Sequence, residues 1–414
     1  MKNCMIGQSG GPTAAINASL CGAAVAAMES SGIKRVYGLI NGIQGLLQET
    51  MIDLTEVLSD VNARRLLKTT PAAYLGSCRY KLPQEGGVYE EIFRIFQKYN
   101  IGYFFYIGGN DSMDTVDKLS RYAAKRNHSV RIIGIPKTID NDLMETDHAP
   151  GFGSAAKYIA ASVREIALDS NVYDLNSVTI IEIMGRDAGW LTAASALART
   201  SVSSAPHLIY LPEHPFSCQS FLEDIRALHK SGVKNVVAAV SEGVRSADGE
   251  YICNAVSSGQ KDVFGHASLS GTAKVLEALV RSELGCKVRG IELNTSQRCA
   301  AHFTSLTDLE ESFAIGGAGV KEAESGGTGK MMCFVRTMDK PYRVRIESRE
   351  ISKIANGEKC VPGEWIIGGN DVSYNMITYL QPLIFGEPEL CFEKGLPVYL
   401  DRASVPLVNP SQFE

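Results

Sequence analysis

At 414 residues the chain exceeds what one ordinary hydrophobic core organises, so two domains are expected. Apolar residues make up 45% and charged residues 21%, with a formal net charge of −5, which suits a globular protein and argues against a broad nucleic-acid surface. No apolar run reaches membrane-spanning length, the start Met1-Lys2-Asn3-Cys4 lacks the apolar stretch of a signal peptide, and ten Cys without a Cys-x-x-Cys pair argue against zinc and disulfides and for a reducing cytoplasm. In chain order, residues 4–6 read as a short apolar strand running into Gly7-Gln8-Ser9-Gly10-Gly11-Pro12-Thr13. The next helix carries Ile16, Leu20, Ala23 and Ala27 on one face and stops at Ser30-Ser31-Gly32. Strand, glycine turn and helix N-terminus are the parts of a phosphate site, since N–H groups there point at an anion. Read alone, the same turn is equally a tight bend needing positive φ.

Leu75-Gly76-Ser77-Cys78-Arg79-Tyr80-Lys81 follows, with Arg79 and Lys81 able to clamp phosphate oxygens or simply solvated on a loop. Residues 101–107 form an apolar, aromatic central strand that ends in Gly108-Gly109-Asn110-Asp111-Ser112, ahead of a helix with Val116, Leu119 and Ala123 inward. An Asp in that place also serves as a helix cap, but two such units in one domain point to a polyphosphate site. Residues 130–135 are a buried strand, ended by Pro136 because it has no N–H for the ladder. The loop Lys137-Thr138-Ile139-Asp140-Asn141-Asp142 comes next. In an extended segment Asp140 and Asp142 face the same way and address one site. A polar loop at a strand end is where open α/β sheets bind ligands. The plain alternative is a solvated Asp- and Asn-rich turn.

A crossing into a second domain reads from 146–154, with a helix opening at Ser154 and burying Ala155, Ile159 and Val163. Strands are expected over 177–183, 236–240 and 287–293. They end in Met184-Gly185-Arg186, in Ser241-Glu242-Gly243 and in Thr295-Ser296-Gln297-Arg298, with Arg289 inside the third. Singly, such charged residues are most often surface ion-pair groups. Gly326-Gly327-Thr328-Gly329 precedes an apolar strand over 331–335, and the tail holds Gly368-Gly369-Asn370-Asp371, an echo of 108–111 read as chance.

Seven of these motifs, in this order, resemble the phosphofructokinase family and its pyrophosphate-dependent branch over about residues 5–332. They are Ser9-Gly10-Gly11, 75–79, 108–112, 136–142, 184–186, 241–243 and Gln297-Arg298, of which Pro-Lys-Thr-Ile-Asp-Asn-Asp is the most specific. The resemblance implies two Rossmann-like α/β domains with the active site in the cleft between them. The phosphate-donor domain would be 1–150 plus about 297–350. The sugar-phosphate domain would be 151–296 plus part of 351–414. It implies Mg2+-dependent, reversible transfer of a phosphoryl group from pyrophosphate to the 1-hydroxyl of fructose 6-phosphate, in a cytoplasmic homo-oligomer, dimer or tetramer, with no nucleic-acid or membrane partner.

By the same resemblance Asp140 is the general base, Thr138 and Asp142 orient the sugar hydroxyl, and Met184, Gly185 and Arg186 form the sugar-binding loop. Glu242 accepts from sugar hydroxyls, Arg298 holds the 6-phosphate, and Arg289 reaches in from a neighbouring subunit. Gly10, Gly11, Arg79, Ser112 and Lys137 fall to the donor, and Asn110 and Asp111 to the metal. Three positions depart from the family pattern: Asn110 stands for the usual metal-binding Asp, Thr295 for a His and Ser177 for a phosphate-binding Arg, so the 6-phosphate pocket is less cationic. Where ATP-using relatives carry Gly, this chain has Asp111, filling the nucleotide's α-phosphate space, and Lys137, able to stabilise the departing phosphate. The rival readings are an ATP-dependent enzyme, another sugar-phosphate kinase, and a non-catalytic subunit, the last opposed by Asp140, Asp142 and Arg186 together. Allosteric bacterial members carry arginines in the first helix; here Ala18-Ser19-Leu20-Cys21-Gly22-Ala23-Ala24 has no cation, which implies no nucleotide control through that site.

Overall fold

The computed structural model describes residues 1–255, 269, 271–354 and 357–413. Strands β1 (Lys2–Gln8), β2 (Ile33–Leu39), β3 (Met51–Asp53), β4 (Ile101–Gly108) and β5 (Arg131–Pro136) come from the first third of the chain. Next come β6 (Ser177–Ile183), β7 (Leu208–Tyr210), β8 (Asn235–Ser241) and β9 (Lys287–Glu292), and last the hairpin β10 (Lys330–Asp339) and β11 (Tyr342–Glu350). They form a seven-stranded sheet, β11-β10-β5-β4-β1-β2-β3, and a four-stranded sheet, β7-β8-β6-β9. The second sheet and the core of the first are parallel, whereas β3 and β11 run antiparallel to their neighbours at the edges.

Strands β1, β4, β5 and β6 are almost wholly buried, as parallel strands covered on both faces must be. Their continuous apolar runs made them readable. The strands that pattern reading passed over are the edge or charged ones: β2, β3, β7 and β11, the last with Arg343, Arg345, Glu347 and Arg349 alternating along an exposed margin. The strand expected over 331–335 extends to Asp339 because the hairpin with β11 carries it outward.

Two helices pack closely on the first sheet. In Ile16–Glu29 the whole stretch 18–24 is buried, and a Cβ on Gly22 would collide with the Phe313 carbonyl of Leu306–Glu324, as one on Gly316 would with the Ser19 carbonyl. The helix expected from Ser154 begins at Phe152. Its N-terminal turn is held from far away in sequence: buried Asp308 accepts from the N–H groups of Gly151 and Ser154 at 2.9 and 3.0 Å. The tail divides. Residues 359–385 pack on the second core through Val361, Met376, Tyr379, Leu380 and Leu383, while Val408 donates its N–H to Met51 O and the Phe413 ring packs at a tilt on Tyr99 beside the first sheet.

Candidate active site

Adjacent strand ends put the motifs side by side. Gly108 lies opposite Pro136 in the β4–β5 ladder, and the Lys137 N–H donates to Gly108 O at 3.0 Å. One strand over, the Ser9 N–H donates to Ile107 O at 2.9 Å. The glycine turn at 10–11, the Gly-Gly turn at 108–109 and the Lys137–Asp142 loop therefore share one edge. Gly10 needs its lack of Cβ twice over: its φ is +76°, and a Cβ there would sit 3.1 Å from Lys137 Nζ. The Leu75–Arg79 motif is tied to this turn, since the Leu75 N–H donates to Gln8 Oε1 and Ser77 Oγ to Gly10 O.

Lys137 is 2% exposed, and its ammonium donates to Gly11 O at 2.5 Å. Burial pushes its pKa down to about 8, against the pull of Asp140 and Asp142, and Arg298 lowers it further. That shift corresponds to about 3 kcal/mol of unmet charge. A buried ammonium this poorly compensated is a poor structural device and a good receptor for an anion. Burial also raises Asp140 and takes Asp142 up to about 7, while Lys137 and Arg186 hold Asp140 down. The Asp140 N–H donates to Thr138 Oγ1 at 3.1 Å, fixing the turn.

Asn110, at the start of the helix Asn110–Lys125, donates from Nδ2 to Asp142 Oδ2 at 2.9 Å. Asn110 Oδ1 and Asp142 Oδ1 are buried with no hydrogen-bond partner among the described residues. Two unpartnered hard oxygens on hydrogen-bonded side chains suit Mg2+, which takes one or two protein oxygens and completes its shell from phosphates and water. Among the described residues there is no group of three or more His, Cys, Asp and Glu that could hold a metal by itself. Asp111 stands apart from that pair, partly exposed and 3.8 Å from Lys81. Ser112 is buried beneath the Gly108 turn, and Arg79 is exposed on its loop.

The second sheet supplies the opposite wall in the same manner. The Glu242 N–H donates to Ile183 O at 2.9 Å, which sets β8's end beside Met184 and Gly185, and the Gly185 N–H points at Glu242 Oε1, 3.4 Å away. Gly243 packs so tightly on the Arg186 carbonyl that a Cβ has no room. Burial raises Glu242 to about 8, Asp140 across the cleft adding to it and Arg186 opposing. The two walls thus face each other: Asp140 feels both Arg186 and Arg298, and Arg298 Nη1 lies 3.6 Å from where a Gly11 Cβ would be. Buried Gln297, beside Arg298 in the motif, accepts the Met184 N–H at 3.1 Å.

Arg289 is not brought into this cluster. It lies mid-strand in β9, opposite Thr179 of β6, exposed and paired with Asp169 at 2.9 Å. Sequence reading missed Lys359 and Tyr379, which back the Asp140 loop from behind and sit in no motif, and gave no role to Trp190, the last residue of the stretch 184–190 that leaves β6; their burial and partners reveal them.

Over residues 3–291 the chain matches the family described as Phosphofructokinase. A Methylococcus capsulatus protein named pyrophosphate--fructose 6-phosphate 1-phosphotransferase is 41% identical over 412 residues, covering 98% of this chain and 96% of the relative. Among solved structures, the pyrophosphate-dependent phosphofructokinase from Marinobacter aquaeolei is 39% identical with a TM-score of 0.86, covering 99% of this chain and 98% of that one. The one from Nitrosospira multiformis is 38% identical with a TM-score of 0.87 over the same shares. With the motif order, the two facing α/β sheets and near full-length likeness in agreement, the chain belongs to the phosphofructokinase family and has its fold.

Proposed function

We propose that this chain transfers a phosphoryl group from pyrophosphate to the 1-hydroxyl of fructose 6-phosphate, giving fructose 1,6-bisphosphate and phosphate, reversibly. The relatives' names support the reaction, and one observation carries the choice of donor. The Lys137 ammonium is buried against the Gly10-Gly11 turn, facing Asp140 and Asp142, with its charge incompletely met. Pyrophosphate has no adenosine from which to draw binding energy, so a cation fixed at its leaving phosphate is where stabilisation matters most. Asp111, at the rim, opposes a nucleotide by charge and by bulk. Gly10, Gly11, Arg79 and Ser112 complete the donor side.

In this reading Asp140 accepts the 1-hydroxyl proton as that oxygen attacks. Burial raises its pKa, which makes it a stronger base, while Lys137 and Arg186 pull the other way. Thr138 and Asp142 orient the hydroxyl. Met184, Gly185, Arg186 and Glu242 hold the sugar ring, Arg298 takes the 6-phosphate, and Arg289 serves the site of a neighbouring copy. Mg2+ would be held at Asn110 and Asp142, with Asp111, which stands apart from that pair, reaching the metal's outer shell at most, and would supply charge neutralisation on the donor phosphates. The donor half is 1–150 plus about 297–350, and the sugar half is 151–296 with part of 351–414. No helix among the described residues is long and apolar enough to cross a membrane. Ten Cys without a Cys-x-x-Cys pair support a reducing cytoplasm. Close packing of 18–24 under Leu306–Glu324 supports the absence of an effector site there.

The test is turnover of fructose 6-phosphate with Mg2+ and either pyrophosphate or ATP. Phosphate release and fructose 1,6-bisphosphate formation with pyrophosphate alone is the expected result. Turnover with ATP alone, or with neither donor, overturns the reading.

A further inference from the structure

Residues 359–361 run along the back of the cleft and bond to both walls. On the donor side the Lys359 N–H donates to Asp142 O at 2.7 Å. The Lys359 ammonium donates to Asp147 O at 2.7 Å and Thr146 O at 3.0 Å, with Asn141 Oδ1 at 3.5 Å. On the sugar side Trp190 Nε1 donates to Lys359 O at 2.8 Å. One oxygen of Glu213 accepts both the Val361 N–H, at 2.9 Å, and the Gly189 N–H, at 2.8 Å. The loop so gripped needs gripping: buried Asn141 sits at φ +57° between Asp140 and Asp142, its Nδ2 donating to Tyr379 OH, which itself donates to Asp147 O.

We propose that Lys359 is a positioning residue for phosphoryl transfer: it staples the loop carrying Asp140 and Asp142 to the loop carrying Arg186. The proposal rests on the reaction given above. Its physical basis is that the ammonium satisfies two main-chain carbonyls at once, which no apolar side chain can do. Released, the loop keeps Tyr379, bonded to Asn141 and Asp147 and packed on Trp190 with ring centroids 5.2 Å apart, as its remaining tie to the Trp190 side. A shift of about 1 Å at reacting groups costs roughly 100-fold in rate. The segment reaches this machinery only through the Asp142 main chain, so its loss should act on the chemical step more than on binding.

The experiment compares wild type, Lys359→Met, Trp190→Phe, Asp140→Asn and the two double variants with Asp140→Asn. Lys359→Met should lose about 10- to 100-fold in kcat with each KM within about 3-fold, and Trp190→Phe, which removes one bond on the sugar side, about 3- to 10-fold. In the Asp140→Asn background each should cost less than about 2-fold, because the group being positioned is already gone. A merely structural role would lower turnover by the same factor in both backgrounds, and that result overturns the proposal, as does wild-type kcat in folded Lys359→Met. If Lys359→Met does not fold, Trp190→Phe decides by the same two criteria. Amide exchange over 140–147 and 184–190 gives a readout independent of the reaction. If wild type turns over neither donor, the functional reading fails, whereas unchanged exchange at both loops in the variants refutes the staple whatever the activity.

Discussion

On the first-sheet wall, three strand ends lie in adjacent register, and each turn that leaves them comes from a short, contiguous motif. On the second-sheet wall, Met184–Arg186 and Glu242 leave adjacent strands in the same way, but Arg298 sits in a short helix beyond β9, and Gln297 must bond to Met184 to bring it in. The charge logic differs as well. Burial pushes the first wall's Lys137 down to about 8 against the pull of two nearby carboxylates, whereas on the second wall burial takes Glu242 up to about 8 against the pull of Arg186. The difference teaches that the donor wall is poised to receive anionic charge, and the sugar wall to exchange neutral hydrogen bonds.

The comparison breaks most visibly at Asp140, where the two walls meet. Asp140→Asn should lower kcat by about 10²- to 10⁴-fold with a smaller change in sugar KM, measured by steady-state kinetics; near-normal turnover would move the base elsewhere. Lys137→Met tests the donor wall alone. It should cost roughly 10²- to 10³-fold in kcat/KM for pyrophosphate, while fructose 6-phosphate binding, followed by calorimetry, stays within a few-fold. Glu242→Gln tests the sugar wall and should do far less. With a pKa of about 8 the carboxyl is already mostly protonated at pH 7, so the neutral amide should change sugar KM by less than about 3-fold there. Above pH 8.5 the wild-type carboxyl ionises and the amide does not, so the two pH profiles should separate; profiles that stay parallel to pH 9.5 contradict the protonated carboxyl.

Behind both walls, His148 supplies the smallest effect. Burial opposes its charge, but Glu311 and Asp147, bonded to its two ring nitrogens, raise it to about 9. Its folded pKa is above the unfolded value of about 6.5. The stabilisation is therefore fully present below pH 6.5 and disappears as pH rises through 9. Its upper size is on the order of 3 kcal/mol. His148→Gln should lower Tm by several degrees at pH 6 and by little at pH 9.5. An equal loss at both values would show that the imidazolium contributes nothing.

The same contrast explains how much could be read from the residues alone. Parallel strands buried on both faces write continuous apolar runs, so β1, β4, β5, β6 and β8 and the loops they launch were legible, and with them Gly10, Asn110, Lys137, Asp140, Arg186 and Glu242. The edge strands β3 and β11 were not, because β3 is only three residues long and writes no pattern, and β11, with its alternating charges, looks like a loop. Nor was the pairing of Asn110 with Asp142, since sequence adjacency favours Asp111 and only the register of β4 against β5 brings residues 32 apart together. Lys359 lay beyond reach for a different reason. One Lys in an unpatterned tail carries no signal until Asn141, Thr146, Asp147 and Trp190 are found around it.

Donor choice is the central claim, and it turns on two residues of the first wall. The deciding measurement is kcat/KM for pyrophosphate and for ATP, with fructose 6-phosphate and Mg2+, in wild type, Asp111→Gly and Asp111→Gly/Lys137→Gly. Wild type should prefer pyrophosphate by at least about 10³-fold, as expected for a buried cation at the leaving phosphate, Asp111→Gly should raise ATP use, and the double variant should raise it further while losing pyrophosphate. Efficient use of ATP by the unmodified protein would contradict the account.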